Sequence, residues 1–223
     1  MITNQLSKRI LTSIVLVFFA YYCIVINTYI FLSALFLMSI ICFIEWNNIN
    51  IKTFSKKKNN KMFAIRFFGL IYLLIFITSS YLIYSNVGPN YYILLLLICS
   101  SSDIGGYLVG RTIGGTKLTK ISPNKTISGS IGSLIFSLIP VLLINKQDYL
   151  LLEFPFTIEN IFLCLLISVS CQLGDLIISF FKRINNIKDT GNMLPGHGGI
   201  LDRVDGIIFA IPVLVILKYF LNI

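Results

Sequence analysis

Residues 157–181 read TIENIFLCLLISVSCQLGDLIISFF, and this stretch decides the fold class. It is predominantly apolar and long enough to cross a bilayer, because about 20 helical residues span the hydrocarbon core. Asp175 interrupts the apolar run near its C-terminal end. A carboxylate inside a membrane helix is costly and is therefore a functional candidate. We predict a membrane-spanning helix that carries part of a polar site.

The rest of the chain follows the same apolar pattern. Of its 223 residues 56% are hydrophobic and 12% are charged, whereas about 25% of a soluble chain is charged. The predicted membrane spans are residues 10–26, 29–44, 63–84, 91–110, 129–145, 157–181 and 204–221. The predicted fold class is an all-α, polytopic integral membrane protein with about seven transmembrane helices. Its active site is expected in a polar cavity of the C-terminal helices.

The distribution of Lys and Arg predicts the orientation of these spans. With the N-terminus in the cytoplasm, 16 of the 18 basic residues fall in cytoplasmic segments, as the positive-inside rule requires. We therefore expect a multi-pass protein of the cell's inner (plasma) membrane whose two Gly-, Pro- and Lys-containing polar loops, and any active site that they form, face the cytoplasm. Residues 1–90 are assigned to N-terminal transmembrane helices, and residues 91–223 to a C-terminal catalytic region.

Two other classes of function are disfavoured by residue position. The net charge of +9 comes from basic clusters between apolar runs, without the basic face or aromatic motif that binds nucleic acid. The five cysteines all lie in apolar segments and form no C-x-x-C pair. They are interpreted as small hydrophobic residues rather than as disulfides or metal ligands.

The segment 179–205, SFFKRINNIKDTGNMLPGHGGILDRVD, concentrates charge and glycine. Asp175, Ser179 and Lys182 would share one helix face, because they are spaced i, i+4 and i+7. Asp202 and Asp205 lie three apart at the predicted start of the last helix. Such carboxylates either stabilise the helix N-terminus or hold Mg²⁺ together with substrate phosphates. His197, flanked by glycines, either contacts a phosphate or carboxylate or is a purely structural donor.

Segment 179–205 resembles the signature of the phosphatidate cytidylyltransferase (CDP-diglyceride synthetase) family, S-x-x-K-R-x4-K-D-x-G-x2-L-P-x-H-G-G-x2-D-R-x-D, at every defined position. Residues 103–129 are similar to a second family block, D-x-x-A-Y…G-R…I-S-P-x-K-T-x-E-G, and Glu45-Trp46 looks like the family's E-W pair. The chain departs at Ser128 and Ile178, where many members have Glu, and it is short for the family. These departures put a second metal site in doubt.

The resemblance implies that CTP and phosphatidic acid react to give CDP-diacylglycerol and pyrophosphate at the membrane. It implies Mg²⁺ as cofactor, with a second cation such as K⁺ as an option, and a homodimer. The implied catalytic residues are Asp175, Lys182, Asp202 and Asp205. The implied metal ligands are Asp175, Asp202, Asp205 and Asp103. The implied substrate-binding residues are Ser122, Lys125, Thr126, Ser179, Arg183, Lys188, His197 and Arg203.

Three alternatives stay open at this stage. A CDP-alcohol phosphotransferase would carry the pattern D-G-x2-A-R-x8-G-x3-D-x3-D, which is absent from this chain. A transporter or lipid-binding subunit would show internal repeats, which the two halves do not. An inactive member of the family would account for Ser128 and Ile178. If the chain is active, the attacking phosphate is already ionised and needs no general base. His197→Gln should then lose less activity than Asp202→Asn.

Overall fold

The computed structural model describes residues 2–54, 59–119, 121–144, 154–194 and 198–221. All seven predicted spans coincide with helices, and the described residues contain no strand, only two isolated bridges. The all-α prediction is therefore confirmed. The helices are α1 (Ile2–Ile26), α2 (Thr28–Phe54), α3 (Asn59–Asn86), α4 (Pro89–Thr112), α5 (Ile127–Phe136), α6 (Ile139–Ile144), α7 (Ile158–Ile184) and α8 (Leu201–Leu221).

The chain is a multi-pass membrane protein. Five helical segments of the described residues are long and apolar enough to cross a bilayer, and α1 contributes a shorter apolar helix at Leu11–Ile26. The five segments are Thr28–Ile49, Phe63–Asn86, Pro89–Thr112, Ile127–Ile144 and Ile158–Ile184.

The predicted span at 129–145 is continuous in sequence but forms two helices, α5 and α6. The interruption lies at Ser137 and Leu138, just before Pro140. In a continuous helix Pro140 would have no backbone N–H to donate to the Phe136 carbonyl four residues earlier, and its ring would clash with that carbonyl. One proline therefore explains why the apolar run does not form a single helix.

Two compact units divide the chain. The first unit comprises Met1–Tyr81 and Phe181–Val204. Within it Trp46 of α2 is buried, and its indole N–H donates to the Ile65 carbonyl of α3 at 3.2 Å. The indole also packs edge-on against Phe181, with ring centroids 4.7 Å apart. Trp46 thus joins α2, α3 and the end of α7 in one core.

The second unit comprises Leu82–Phe180 and Asp205–Ile223. Here α4 and α5 pack closely through glycines. A Cβ atom on Gly105 would lie 2.7 Å from the Gly132 carbonyl oxygen, and one on Gly129 would lie 2.8 Å from the Gly106 carbonyl oxygen. Because glycine has no Cβ atom, the backbones of two membrane helices can approach closely at such positions. The glycines of α4 and α5 therefore bring the two backbones into contact.

Helix α7 ends at a residue in the left-handed conformation. Asn186 has φ of 53°, and the Ile187 amide donates to the Lys182 carbonyl at 3.0 Å. A left-handed residue after the last helical turn, with a hydrogen bond back to that turn, is a common way to end a helix. This turn directs the chain from α7 into the loop at 187–200.

Candidate active site

The first candidate site lies in the second unit, around Asp175 of α7. The Lys125 ammonium is 2.5 Å from Asp175 Oδ2. The Ser179 hydroxyl donates to Asp175 Oδ1 at 3.2 Å, one helical turn further along. The side chains of Lys125 and Asp175 remain 26% and 35% exposed. Both members of this ion pair are therefore accessible to a ligand.

Lys125 also lines a cavity of about 500 Å³ within the same unit. The loop before α5 contributes Asn124 and Thr126, and α4 contributes Arg111. The Arg111 guanidinium donates to the Tyr107 hydroxyl at 2.6 Å and lies over its ring. The cavity thus combines two basic side chains with neutral hydrogen-bonding groups, a composition that suits a phosphate-bearing ligand. The full lining is Gly106, Tyr107, Gly110, Arg111, Leu118, Asn124, Lys125, Thr126, Gly129, Ser130, Ser133 and Gln172.

The loop that carries Lys125 is fixed by the start of α5. Thr126 is the N-cap residue, and its hydroxyl oxygen accepts from the Gly129 amide at 3.1 Å. Such a cap stabilises a helix by about 1 kcal/mol relative to alanine. Ser122 lies earlier in the same loop, where its carbonyl accepts from the Lys125 amide at 3.1 Å. Ser122 shapes the turn but does not line the cavity.

Ser128, the first departure from the family pattern, has structural partners. Its hydroxyl donates to the Gly114 carbonyl and shares a 3.0 Å hydrogen bond with Thr126. Ile178, the second departure, is 5% exposed and belongs to the apolar core. Both residues are accommodated by local packing in the second unit.

Asp103 and Asp205 belong to the same unit as Asp175. Asp103 lies on α4, and Asp205 lies near the start of α8. Asp205 Oδ1 also accepts from the Gly206 amide at 2.9 Å. A Cβ on Gly174 would lie 2.6 Å from the Asp205 carbonyl oxygen, so this glycine permits close packing of α7 against α8.

The second candidate site lies in the first unit, around Asp202 at the start of α8. The Lys182 ammonium is 2.7 Å from Asp202 Oδ1. Asp202 Oδ2 accepts from two backbone amides, Thr190 at 2.7 Å and Gly199 at 3.2 Å. The side chains of Lys182 and Asp202 are only 13% and 6% exposed. This carboxylate is therefore nearly buried and satisfied by three donors.

Of the remaining predicted residues, three are exposed, one is buried and one lies outside the described residues. Arg183, Lys188 and Arg203 are exposed. Ser179 is buried, and its hydroxyl donates a hydrogen bond to Asp175 Oδ1. His197 lies outside the described residues, so its role stays a prediction.

Mg²⁺ is usually bound by one or two carboxylates together with waters and substrate phosphates. Among the described residues, no three His, Cys, Asp or Glu side chains are grouped closely enough to hold a metal ion. Asp175 nevertheless fits a hard cation, because it is accessible and its oxygens face a hydroxyl and a displaceable ammonium. Asp202 would accept a cation only by releasing Lys182, since its other oxygen is held by two amides.

Gln172 and Glu45 were absent from the sequence-based set of site residues, whereas Ser130 lies in the stretch 128–133 that the sequence assigned to phosphate binding. Gln172 and Ser130 line the cavity, and the Ser130 hydroxyl donates to Gln172 Oε1 at 2.5 Å. Gln172 is an amide within an apolar span, and this signal would have identified it. Glu45 contacts the loop that holds Asp202. Glu45 is the one acidic residue among the first 102 residues, so its isolation in the sequence could have identified it as a functional candidate.

The sequence model of the cytidylyltransferase family matches residues 50–221, more than half of the chain. The chain belongs to this family. The matched range contains both ion pairs, the cavity and segment 179–205.

Three curated relatives, each named phosphatidate cytidylyltransferase, show the same likeness. The protein of Staphylococcus haemolyticus is 46% identical over 136 residues, covering 58% of this chain and 49% of the relative. That of Rickettsia bellii is 40% identical over 161 residues, covering 69% and 67%. That of Bacillus subtilis is 43% identical over 128 residues, covering 57% and 46%. The chain thus spans about half the length of two of these cytidylyltransferases and two thirds of the third.

Proposed function

We propose that this chain is a phosphatidate cytidylyltransferase, which transfers CMP from CTP to phosphatidic acid. A phosphate oxygen of the lipid attacks the α-phosphorus of CTP. The bond between the α-phosphorus and the oxygen that bridges it to the β-phosphorus breaks, and pyrophosphate leaves with the electron pair. CDP-diacylglycerol remains in the membrane.

One observation carries the proposal: the family match at residues 50–221 includes all four side chains of the two ion pairs. Relatives named for this activity are 40–46% identical to the chain. The apolar helices support it further, because the lipid substrate must be reached from within a bilayer.

The cavity beside Lys125 supports binding of the CTP phosphates. Lys125 and Arg111 supply positive charge, and Asn124 and Ser130 supply hydrogen bonds. A triphosphate that approaches Lys125 competes with Asp175 for the ammonium, because the pair is accessible and held by Coulomb attraction. Lys125 is therefore expected to shift from its carboxylate partner to the triphosphate when CTP binds.

Asp175 is the carboxylate best suited to hold Mg²⁺, and Asp103 and Asp205 are further candidates in the same unit. When bound, Mg²⁺ would neutralise charge on the phosphates of CTP and favour departure of pyrophosphate. A second cation such as K⁺ would need further oxygen ligands, and Ser128 and Ile178 supply no carboxylate for it.

Lys182 and Asp202 support the reaction by a different route. Their nearly buried pair fixes a lysine and the start of α8 in one geometry. Phosphoryl-type transfer depends mainly on positioning and charge stabilisation, so a rigid cation is useful. Three exposed basic residues are close in sequence to Lys182 or Asp202, namely Arg183, Lys188 and Arg203. We propose that they attract the lipid headgroup.

No general base is needed, because the phosphate monoester of the lipid is ionised near neutral pH. His197 is therefore proposed to bind rather than to abstract a proton. The positive-inside distribution of Lys and Arg supports an orientation in which CTP reaches the site from the cytoplasm.

The test is CTP-dependent formation of CDP-diacylglycerol by purified protein in detergent micelles that contain phosphatidic acid. Product and pyrophosphate in equal amounts, dependent on Mg²⁺ and abolished by EDTA, are expected. Folded protein that makes neither product with any divalent metal would contradict the proposal and favour an inactive family member. Replacement of phosphatidic acid by diacylglycerol is the matched control and should give no product.

A further inference from the structure

Glu45 of α2 is a buried carboxylate that the loop before α8 surrounds. It is 5% exposed. Its Oε2 accepts from the Thr190 hydroxyl and from the Leu201 amide, both at 2.9 Å. Its Oε1 accepts from the Ile200 amide at 3.1 Å. A buried charge is tolerated when it is fully hydrogen-bonded, and these three donors meet that requirement.

The loop is shaped to admit this carboxylate. A Cβ on Gly191 would lie 2.5 Å from Glu45 Oε1, and a Cβ on Gly199 would lie 2.5 Å from Glu45 Oε2. Neither glycine has positive φ. Gly191 is therefore required to leave space for Glu45, and Gly199 to leave space for Glu45 and the Thr190 hydroxyl, rather than for an unusual backbone conformation. Two glycines of segment 179–205 are thus explained by a residue more than 140 positions earlier in the chain.

The same loop also holds Asp202. Thr190 donates its hydroxyl to Glu45 and its amide to Asp202 Oδ2. Gly199, which is next to Ile200, donates its amide to Asp202 Oδ2. Because Ile200 and Leu201 directly precede Asp202, movement of Glu45 would displace both the start of α8 and the partners of Asp202.

We infer that Glu45 is a positioning residue that sets the geometry of the Lys182–Asp202 pair through Thr190 and the first residues of α8. This inference rests on the proposed function for its effect on catalysis. Glu45 acts through the loop and takes no part in the transfer itself. The first amides of a helix carry partial positive charge, so Glu45 stabilises α8 at the end where Asp202 lies.

The first experiment compares Glu45→Gln with Glu159→Gln, the same chemical change at an exposed position. Glutamine keeps the size of the side chain but replaces one carboxylate oxygen by an NH₂ group. This donor would face the groups that now donate to Glu45, which are the Ile200 and Leu201 amides and the Thr190 hydroxyl. We expect kcat to fall about 10- to 100-fold, as for a small misplacement of reacting groups, with KM for CTP changed less than about threefold. Glu159→Gln should have the same kcat and the same KM for CTP as the wild-type protein. An unchanged kcat in folded Glu45→Gln protein would overturn the inference.

A double-mutant cycle tests the contact itself. Gly191→Ala places a methyl group where Glu45 lies, so this single change should lower kcat at least about tenfold. In the Glu45→Ala background the space is free, and adding Gly191→Ala should lower kcat less than about twofold further. Non-additivity of this kind reports direct coupling. Additive losses would contradict the proposed contact.

Hydrogen exchange separates failure of this inference from failure of the proposed function. Glu45→Gln should speed exchange of the amides of Ile200 and Leu201, whereas Glu159→Gln should not, because those amides lose their acceptor. If wild-type protein makes no CDP-diacylglycerol, the proposed function fails and exchange alone decides whether Glu45 holds the loop. Unchanged exchange at both amides would overturn the inference whatever the activity.

Discussion

The two lysine–aspartate pairs have similar contact distances but different surroundings. Lys125 and Asp175 meet at 2.5 Å beside a cavity, with about a quarter to a third of each side chain exposed. Lys182 and Asp202 meet at 2.7 Å, with side chains 13% and 6% exposed, and two backbone amides share the carboxylate. The distance within an ion pair therefore does not show whether the pair is accessible or nearly buried.

Burial determines what each pair contributes. An exposed pair stabilises a protein by about 0–1 kcal/mol, because water screens both charges. Removal of one partner from a buried pair costs about 3–5 kcal/mol, because the remaining charge is left uncompensated. We therefore expect the Lys125–Asp175 pair to exchange partners readily and the Lys182–Asp202 pair to stay formed throughout the reaction.

The largest effect is expected from Asp202→Asn. It should lower the rate of CDP-diacylglycerol formation by about 10³-fold, since a preorganised charged group is lost. It should also lower the free energy of unfolding by about 3 kcal/mol, because Lys182 is left without its partner. Turnover and thermal unfolding in detergent measure the two quantities.

The double variant Lys182→Met/Asp202→Asn, in which both side chains are neutral, is the matched control for Asp202→Asn. It removes both charges and keeps an oxygen for the Thr190 and Gly199 amides. Most of the lost stability should return while activity stays absent. Equal destabilisation of the single and double variants would show that the charge pair is not what stabilises this region.

Asp175→Asn should separate activity from stability. We expect about a 10²- to 10³-fold loss of activity, because the carboxylate proposed to hold Mg²⁺ is gone. The free energy of unfolding should change by less than about 1 kcal/mol, because the pair is partly exposed. A metal titration of activity should also shift to higher Mg²⁺ concentration. Loss of stability as large as that of Asp202→Asn would remove the distinction between the two pairs.

Lys125→Gln should act on CTP binding. With the ammonium gone, KM for CTP should rise about tenfold or more, corresponding to about 1.4 kcal/mol of lost interaction. Lys125→Arg keeps the charge and should recover part of the affinity. Steady-state kinetics at varied CTP concentration measure this. An unchanged KM for CTP in Lys125→Gln would exclude the cavity as the triphosphate site.

Gln172→Leu should have the smallest effect of the set. It removes the acceptor of the Ser130 hydroxyl and one polar group of the cavity wall. A neutral hydrogen bond contributes about 0.5–1.5 kcal/mol, so we expect a two- to tenfold rise in KM for CTP with kcat nearly unchanged. Gln172→Glu is the comparison variant and should raise KM for CTP further, because it adds a negative charge to the proposed phosphate site.

The fold was largely readable from the sequence. Apolar runs predicted every membrane helix of the described residues, because the length of a run and the thickness of a bilayer are directly related. The division of residues 127–144 into α5 and α6 was missed, although Pro140 signals it. Helix ends were also misplaced, because α1 and α2 extend beyond their apolar runs into polar sequence.

The candidate sites were only partly readable. The i, i+4 spacing predicted that Ser179 lies against Asp175, and the hydrogen bond between them confirms it. No periodicity connects Lys125 with Asp175, or Glu45 with Leu201, because these contacts depend on tertiary packing. The sequence also could not predict that Asp202 is more deeply buried than Asp175, because exposure depends on the folded chain and not on the motif.

The proposed transfer of CMP to phosphatidic acid can be followed directly through the α-phosphate of CTP. Purified protein should be incubated with α-³²P-labelled CTP, phosphatidic acid and Mg²⁺ in micelles, beside the Asp202→Asn variant. We expect label in CDP-diacylglycerol from wild-type protein and almost none from the variant. Folded wild-type protein that leaves all label in CTP, or a variant that labels lipid as fast as wild type, would contradict it.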